Sequence, residues 1–204
     1  MRIIGGVGLT ILLACATAFA QADFSADIVS LSATTNTFHT KIFSTRDKLR
    51  FQGEDKGGRT NSIMIVDLAK QTSVVLVPQQ KKYVESSRPQ IPGQGVTFFQ
   101  VKDVNDACGD WKRIAHADKG KCTKVGPEKV NGRDTVKYEV APGQGKTGFL
   151  WIDQKLHFPV KWQNSAASGE LGNIKEEAQP AELFEIPAGY TNRSAKPAPP
   201  KPAD

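Results

Sequence analysis

The sequence predicts a mainly β (α+β) protein, in which a single curved antiparallel sheet forms an open half-barrel with one lid-like helix on its concave face. Short segments of alternating apolar and polar residues fill most of the chain, and turn-forming residues separate them. Only one stretch has the spacing of an amphipathic helix. The pattern is clearest between residues 147 and 190, where no residue is typical of a catalyst, so the sequence indicates an architecture more firmly than an activity.

Residues 1–20 have the features of a secretory signal peptide. Arg2 supplies a basic start, and the apolar stretch from Ile3 to Cys15 is too short to span a bilayer. Ala18-Phe19-Ala20 offers small residues at the two positions that a signal peptidase reads. We expect cleavage after Ala20 and export to the periplasm. The alternative is a lipid anchor at Cys15, because the residues before it approximate a lipoprotein signal.

The mature chain has the length of one domain and a basic charge. Removing 20 of 204 residues leaves 184, which is enough to bury a sizeable core. Removal of Arg2 with the signal peptide leaves 26 Lys and Arg residues, which exceed the 21 Asp and Glu residues but are scattered along the chain. No arginine-rich patch with interleaved aromatic residues is present, so nucleic acid is not an expected partner. A solvated basic surface near anionic lipid headgroups or cell-wall polymers fits this distribution.

Six candidate strands follow one another in the first half of the mature chain. Turn-forming residues separate them, as in a meander. Their predicted bounds are Phe24 to Leu31, Thr37 to Thr45, Lys48 to Gly53, Ser62 to Leu68, Ser73 to Val77 and Lys82 to Glu85. Residues 63–66, 74–77 and 149–152 are apolar at consecutive positions, which predicts that both faces of the sheet are covered there.

The predicted helix follows a Pro- and Gly-rich stretch. Apolar residues recur at helical spacing from Val104 to Ala115, after a candidate cap at Asp103, which predicts about three turns. Cys108 lies on its apolar side, and Cys122 begins the next strand. Two cysteines in an oxidising compartment favour a disulfide, which closes a loop of about 15 residues and contributes about 3 kcal/mol. This bond would hold the helix against the sheet.

The second half of the chain again predicts antiparallel strands. Asn131-Gly132 favours a tight hairpin, and Gln154-Lys155 a second turn. The predicted segments are Cys122 to Gly126, Lys129 to Val140, Thr147 to Asp153, Phe158 to Trp162, Glu170 to Glu176 and Leu183 to Tyr190. Residues 193–204 are rich in Pro, Ala and Lys and predict an extended, disordered tail. The folded domain is therefore expected to span residues 21–192.

The sequence carries no pattern typical of an enzyme. His39, His116 and His157 lie in unrelated contexts, without metal-ligand spacing, and His157 is expected to be an exposed turn residue. No GxSxG motif is present, and the Gly-rich stretch at residues 143–147 leads into a strand where a phosphate loop needs a helix. We expect no catalytic activity, no metal and no cofactor.

Several segments, taken in order, resemble a family of uncharacterised exported bacterial proteins. That family is similar to the periplasmic lipoprotein carriers of the LolA/LolB type, and the resemblance runs from about Phe24 to Tyr190. It rests on the motifs Lys41 to Arg50, Ile63 to Leu68, Lys81 to Glu85, Gly126 to Gly132, Leu150 to Asp153, Phe158 to Trp162 and Phe184 to Tyr190.

The resemblance implies a half-barrel whose concave face holds a lipid or the acyl chains of a lipoprotein, in a protein expected to be a monomer. Each methylene buried there would gain about 0.8 kcal/mol. The candidate cavity residues are Ile42, Leu49, Phe51, Ile63, Ile65, Leu76, Phe149, Trp151, Val160 and Trp162, and alternation alone does not say which of them face inward. Ordinary core packing is the alternative for each. An envelope scaffold, contacting another envelope protein or the membrane surface, would need no cavity.

Arg50 is the candidate latch of a lid. Leu49-Arg50-Phe51 resembles a motif of the Lol-type carriers in which an arginine bonds to lid helices and holds the empty cavity closed. The alternative is a surface arginine on the polar side of a strand. The chain also departs from the carriers, because Phe24 starts a strand where they have a first helix. This departure favours a fixed apolar pocket or a scaffold.

Overall fold

One sheet of twelve strands makes up most of the described structure. The computed structural model describes residues 22–30, 39–87, 98–143, 147–165 and 168–193. The predicted signal peptide lies outside the described residues, as does the predicted tail apart from Arg193. Within the described ranges, no helix is both long enough and apolar enough to cross a membrane.

The first six strands agree closely with the segments predicted in the first half of the chain. The twelve strands of the sheet are β1 (Phe24–Ser30), β2 (His39–Ser44), β3 (Lys48–Glu54), β4 (Thr60–Asp67), β5 (Thr72–Val77), β6 (Lys82–Ser86), β7 (Lys121–Val130), β8 (Arg133–Ala141), β9 (Gly148–Asp153), β10 (Phe158–Gln163), β11 (Ser168–Glu176) and β12 (Thr191–Asn192). One α-helix, α1 (Cys108–Ile114), and two 3₁₀ helices (Pro78–Gln80 and Ala181–Phe184) accompany them.

The strand order across the sheet is β12-β6-β5-β4-β3-β2-β1-β11-β10-β9-β8-β7. Neighbours are antiparallel apart from β12, which adds to β6 in parallel. The two meanders therefore join where β11 pairs with β1. The predicted hairpin between β7 and β8 is present, with positive φ at both Asn131 (49°) and Gly132 (80°), as a type I′ turn requires.

The sheet curls towards one of its faces. Strands β3 and β10 are four steps apart, which is about 19 Å in a flat sheet. The ring of Phe98 nevertheless contacts both strands, with centroid distances of 5.4 Å to Phe51 and 5.1 Å to Trp162. Such contacts require the sheet to bend, so the face that carries these rings is the concave face. The predicted half-barrel with a helix is confirmed.

Two predicted elements are wrong in detail. Leu183 to Tyr190 does not form an antiparallel strand, because Pro187 lacks an N–H and Gly189 has a φ of 83°. The segment instead forms a 3₁₀ turn and a loop that lead to β12. The helix is also shorter than predicted. Asp103 closes a separate turn, in which its side chain accepts a hydrogen bond from Asn105 N at 2.8 Å, and α1 begins only at Cys108.

Candidate functional site

The concave face carries an apolar row that crosses six neighbouring strands. Cross-strand pairs connect its members one after another, from β1 to β6. The row consists of Ala26, Ile42, Phe51, Met64, Val75 and Val84. Its first three side chains are buried, the next two are half-buried, and Val84 is 37% exposed. The row therefore runs from a closed core to a surface that water reaches at β6.

Residues 98–102, which we call the strap, fill the closed part of this concave face. Phe98 is 2% exposed and lies against three rings from both halves of the sheet, those of Phe51, Phe158 and Trp162. Phe99 is fully buried in the same cluster. The strap belongs to no strand, yet its side chains provide the central packing of the half-barrel.

A small number of polar contacts hold the strap. The Gln100 side-chain N–H₂ donates to Ser44 Oγ (3.0 Å) and to the carbonyl of Thr45 (2.9 Å). The Val101 N–H donates to the carbonyl of His157 at 2.9 Å, and the His157 ring nitrogen Nδ1 lies 3.1 Å from the Val101 carbonyl. The Oε1 of Gln100 is buried without a hydrogen-bond partner among the described residues. The Lys102 N–H donates to Asp110 Oδ2 at 2.9 Å. The strap is thus tied at the end of β2, at the turn between β9 and β10, and to α1.

His157 differs from its predicted role. It is half-buried, and its φ of 52° places it in the left-handed region, which only a few residue types tolerate. Both its backbone and its ring engage the strap. His157 is therefore a positioning contact for the strap.

The helix closes the other side of the concave face. Trp111 on α1 is buried in the main cluster, and the hydroxyl of Tyr138 donates to the carbonyl of Val104 at 2.8 Å and accepts from the N–H of Ala107 at 3.3 Å. Burial raises the pKa of Tyr138. The predicted disulfide between Cys108 and Cys122 is present, with a Cα–Cα distance of 5.6 Å. It ties α1 to β7, as expected.

The concave cluster is built from apolar side chains. Its buried members among the described residues are aliphatic and aromatic, with the Tyr138 hydroxyl satisfied by backbone groups. The two buried charged side chains of the described chain lie elsewhere. Arg50 is on the opposite face, and Asp153 accepts hydrogen bonds from the turn that follows β9. An apolar ligand would therefore meet no buried charge on the concave face.

The ten predicted cavity residues divide evenly between the two faces of the sheet. Five of them belong to the concave cluster, namely Ile42, Leu49, Phe51, Val160 and Trp162. The other five face the opposite, convex side, namely Ile63, Ile65, Leu76, Phe149 and Trp151. Strand alternation explains the division, because neighbouring side chains on a strand point to opposite faces. The second set does not face the interior of the half-barrel.

A C-terminal segment covers the convex face of β3 to β6. We call residues 181–193 the brace. Its side chains Phe184, Leu183 and Ile186 pack on Ile63, Ile65 and Leu76. The brace ends at the sheet edge, where the N–H of Thr191 donates to the carbonyl of Lys81 at 3.0 Å and that of Arg193 to Tyr83 at 2.8 Å. It forms a second, smaller core.

Arg50 connects the sheet to this brace. Its Nη1 donates to the carbonyl of Leu183 at 2.8 Å, and its Nη2 to the side chain of Gln52 at 3.0 Å. The side chain is 8% exposed, and burial lowers the pKa of Arg50. Arg50 is therefore neither exposed nor directed at α1. It contacts the brace on the face opposite to the helix.

Trp151 and Phe149 lie under lysine side chains on the convex face of the other half of the sheet. The ammonium of Lys137 is 4.8 Å from both ring centroids, and that of Lys161 is 4.9 Å from Trp151. The nearby indole of Trp151 and the ammonium of Lys137 lower the pKa of Glu128. The charged side chains thus cover Trp151, which is 3% exposed, on the convex face.

Sequence reasoning missed the strap and the open end of the row. Phe98, Phe99 and Val101 are apolar residues after a Pro- and Gly-rich stretch, and this local cluster is the signal that could have drawn attention to them. Met64, Val75 and Val84 became visible only through strand register. The described residues contain no group of three or more His, Cys, Asp or Glu side chains that could hold a metal ion.

Comparison with solved structures supports the fold. An uncharacterized conserved protein from Thermus thermophilus superposes with a TM-score of 0.52 at 10% identity, over 85% of this chain and 91% of that chain. PNGF-II superposes with a TM-score of 0.50 at 12% identity, and the match covers 85% of this chain but 31% of PNGF-II. No protein-family model matches the chain, and no curated protein matches its sequence.

A LolA superfamily protein from Nitrosomonas europaea is also among the matched structures. It has a TM-score of 0.39 at 12% identity, and the match covers 81% of this chain and 90% of that chain. That protein is described as a member of the superfamily that the sequence motifs resemble. The likeness concerns the fold and identifies no ligand.

Proposed function

We propose that this protein binds a hydrophobic ligand, a lipid or the acyl chain of a lipoprotein, on the concave face of its sheet. It would act in the periplasm as a carrier or sensor, without catalysis. The observation that carries the proposal is the cross-strand row from Ala26 to Val84, which is continuous from the buried core to the exposed Val84. A row of this kind offers an apolar chain a path along the sheet.

The chemistry of the row favours an acyl chain over a polar ligand. The half-buried and exposed members, Met64, Val75 and Val84, present no hydrogen-bonding side chain. An acyl chain needs no polar partner, and each methylene that leaves water gains about 0.8 kcal/mol. Eight buried methylenes would therefore contribute about 6 kcal/mol before the costs of association.

A charge placed in the middle of the row tests the proposal. We expect Val75→Glu to weaken uptake of the fluorescent fatty acid dansyl-undecanoic acid by about tenfold or more, because burying the carboxylate is costly. Val29→Glu is the matched control. Val29 is 40% exposed and points away from the concave face, because its neighbour Ile28 packs on the concave cluster. Equal uptake by both variants and the unchanged protein would contradict a site on the concave face.

A second candidate function is an envelope scaffold with a filled core. The observation that favours it is the near-complete burial of Phe98 and Phe99 on the concave face. A scaffold would take up no fatty acid and would bind its partner, another envelope protein or an anionic polymer, through the basic surface. That binding would weaken as salt is added.

A further inference from the structure

The strap and the proposed ligand share one surface. Phe98 rests on Phe51, and Phe51 pairs directly with Met64 in the apolar row that continues to Val84. A ligand that enters along this row from β6 therefore meets the ring of Phe98 as soon as it passes Phe51. The deep end of the proposed site is the place that the strap now fills.

The strap contacts the sheet as a ligand would. It enters no strand pairing, and the ring of Phe98 contacts a ring on β3 and a ring on β10. Phe24, by contrast, is an equally buried phenylalanine that touches the same Phe158 ring, at 5.2 Å, but belongs to β1 and is paired on both sides. Phe24 is therefore held in place by the sheet itself, whereas Phe98 fills the space between the two halves without belonging to a strand.

The closed position of the strap has an unsatisfied polar group. Gln100 makes two hydrogen bonds through its N–H₂, and the same amide leaves Oε1 buried and unpaired among the described residues. A buried acceptor without a partner regains hydrogen bonds when it reaches water. The left-handed backbone at His157, which forms a second tie, is likewise a conformation that surrounding contacts must maintain.

We propose that the strap is a built-in occupant of the hydrophobic site, which must leave the concave face before a ligand can fill its deep end. This inference rests on the proposed function, which supplies the nature of the ligand. It adds an explanation of how the site stays closed when no ligand is bound. Phe98 and Phe99 would cover the apolar surface when no ligand is bound. An acyl chain would then exchange with the strap, so that the concave face stays covered in both states.

Matched phenylalanine variants test this exchange. Because apparent affinity scales with the population of the open form, Phe98→Ala should bind dansyl-undecanoic acid at least about tenfold more tightly than the unchanged protein. Phe24→Ala should not bind more tightly, although it removes the same side chain from the same cluster. Equal affinities of the two folded variants would overturn the proposal. If Phe98→Ala fails to fold, Gln100→Ala takes its place in the test. It removes the tie to the end of β2 without emptying the core, and it should also bind the probe more tightly than the unchanged protein.

Amide hydrogen exchange shows whether the strap proposal is wrong or the proposed function is wrong. In the ligand-free protein, the Val101 amide should exchange at least about tenfold faster than the slowest amides of β9 and β10, because the strap opens independently of the sheet. If no variant binds the probe, the proposed function is wrong, and fast exchange at Val101 would still support a detachable strap. Exchange at Val101 that requires global unfolding would refute the strap proposal in every case.

Discussion

At the scale of single residues, Arg50 is the most informative side chain of the convex face. It is a buried guanidinium whose hydrogen-bond acceptors are a backbone carbonyl and an amide side chain. The resemblance to Lol-type carriers implies a latch on lid helices, but α1 lies on the other face of the sheet. Its contact with Leu183 instead holds the brace against β3. The latch role that the resemblance implies for Arg50 stays a prediction.

The contribution of Arg50 to stability can be measured directly. We expect Arg50→Ala to lower the free energy of unfolding by about 1.5–3 kcal/mol, the range for hydrogen bonds made by a charged group. Urea denaturation followed by circular dichroism measures this loss. Arg59→Ala is the control, because that side chain is 85% exposed in its ion pair with Asp55 and should change stability by less than about 0.5 kcal/mol. Equal losses would show that Arg50 does not secure the brace.

At the scale of elements, the disulfide holds the single helix in place. Helix α1 has seven residues, which is too short to be stable in isolation. The covalent bond from Cys108 to Cys122 keeps it beside β7, where Trp111 reaches the concave cluster. The geometry of the concave face thus depends partly on oxidation of this pair.

Removing both cysteines should destabilise the protein without changing the sheet. We expect the Cys108→Ala, Cys122→Ala double variant to lose about 3 kcal/mol of unfolding free energy, as the entropy of a loop of this length predicts. Urea denaturation measures the loss, and far-ultraviolet circular dichroism checks that the strands remain. An unchanged midpoint would mean that packing of Trp111 alone docks the helix.

A charged network joins the ends of three strands, β8, β9 and β11. Arg133, at the start of β8, bonds to Glu176 at 2.8 Å and to Asp153. Lys155, in the turn after β9, also pairs with Glu176. Hydrogen bonds from Lys155 first, and from Arg133 second, lower the pKa of Glu176. This carboxylate therefore favours the folded state in its ionised form.

The network predicts a pH-dependent part of the stability. Because the folded pKa of Glu176 lies below its unfolded value, its contribution is complete above about pH 4.5 and is lost as the pH falls through the folded value. Solvent screening keeps the effect below about 1 kcal/mol. Glu176→Gln should thus lower the urea midpoint more at pH 7 than at pH 3. The neighbouring Glu177→Gln is the control, and an equal loss at both pH values would contradict the assignment.

At the scale of the whole molecule, local sequence pattern determined where the strands, the hairpin and the disulfide lie, whereas long-range packing determined the face towards which the sheet curls. Alternation located the strands, and Asn131-Gly132 located a hairpin, since both signals depend on adjacent residues. The two cysteines likewise indicated their own pairing. These features carry their physical cause within a few residues of the sequence.

The concave face could not be assigned in the same way. Alternation places Phe51 and its neighbour Arg50 on opposite faces of the sheet, but it does not say towards which of the two faces the sheet will curl. That direction depends on Phe98 meeting Trp162, a contact between residues far apart in the chain. The brace was misread for a related reason, because an apolar segment that packs on a sheet has the composition of a strand.

The binding of a hydrophobic ligand is tested most directly by native mass spectrometry, with lipid extraction, on the mature protein purified from the periplasm without detergent. We expect a stoichiometric acylated compound on the unchanged protein, retained by Val29→Glu and lost by Val75→Glu. A ligand-free mass for the unchanged protein, with no uptake of added fatty acid or lipopeptide, would contradict a hydrophobic binding function and leave the filled scaffold.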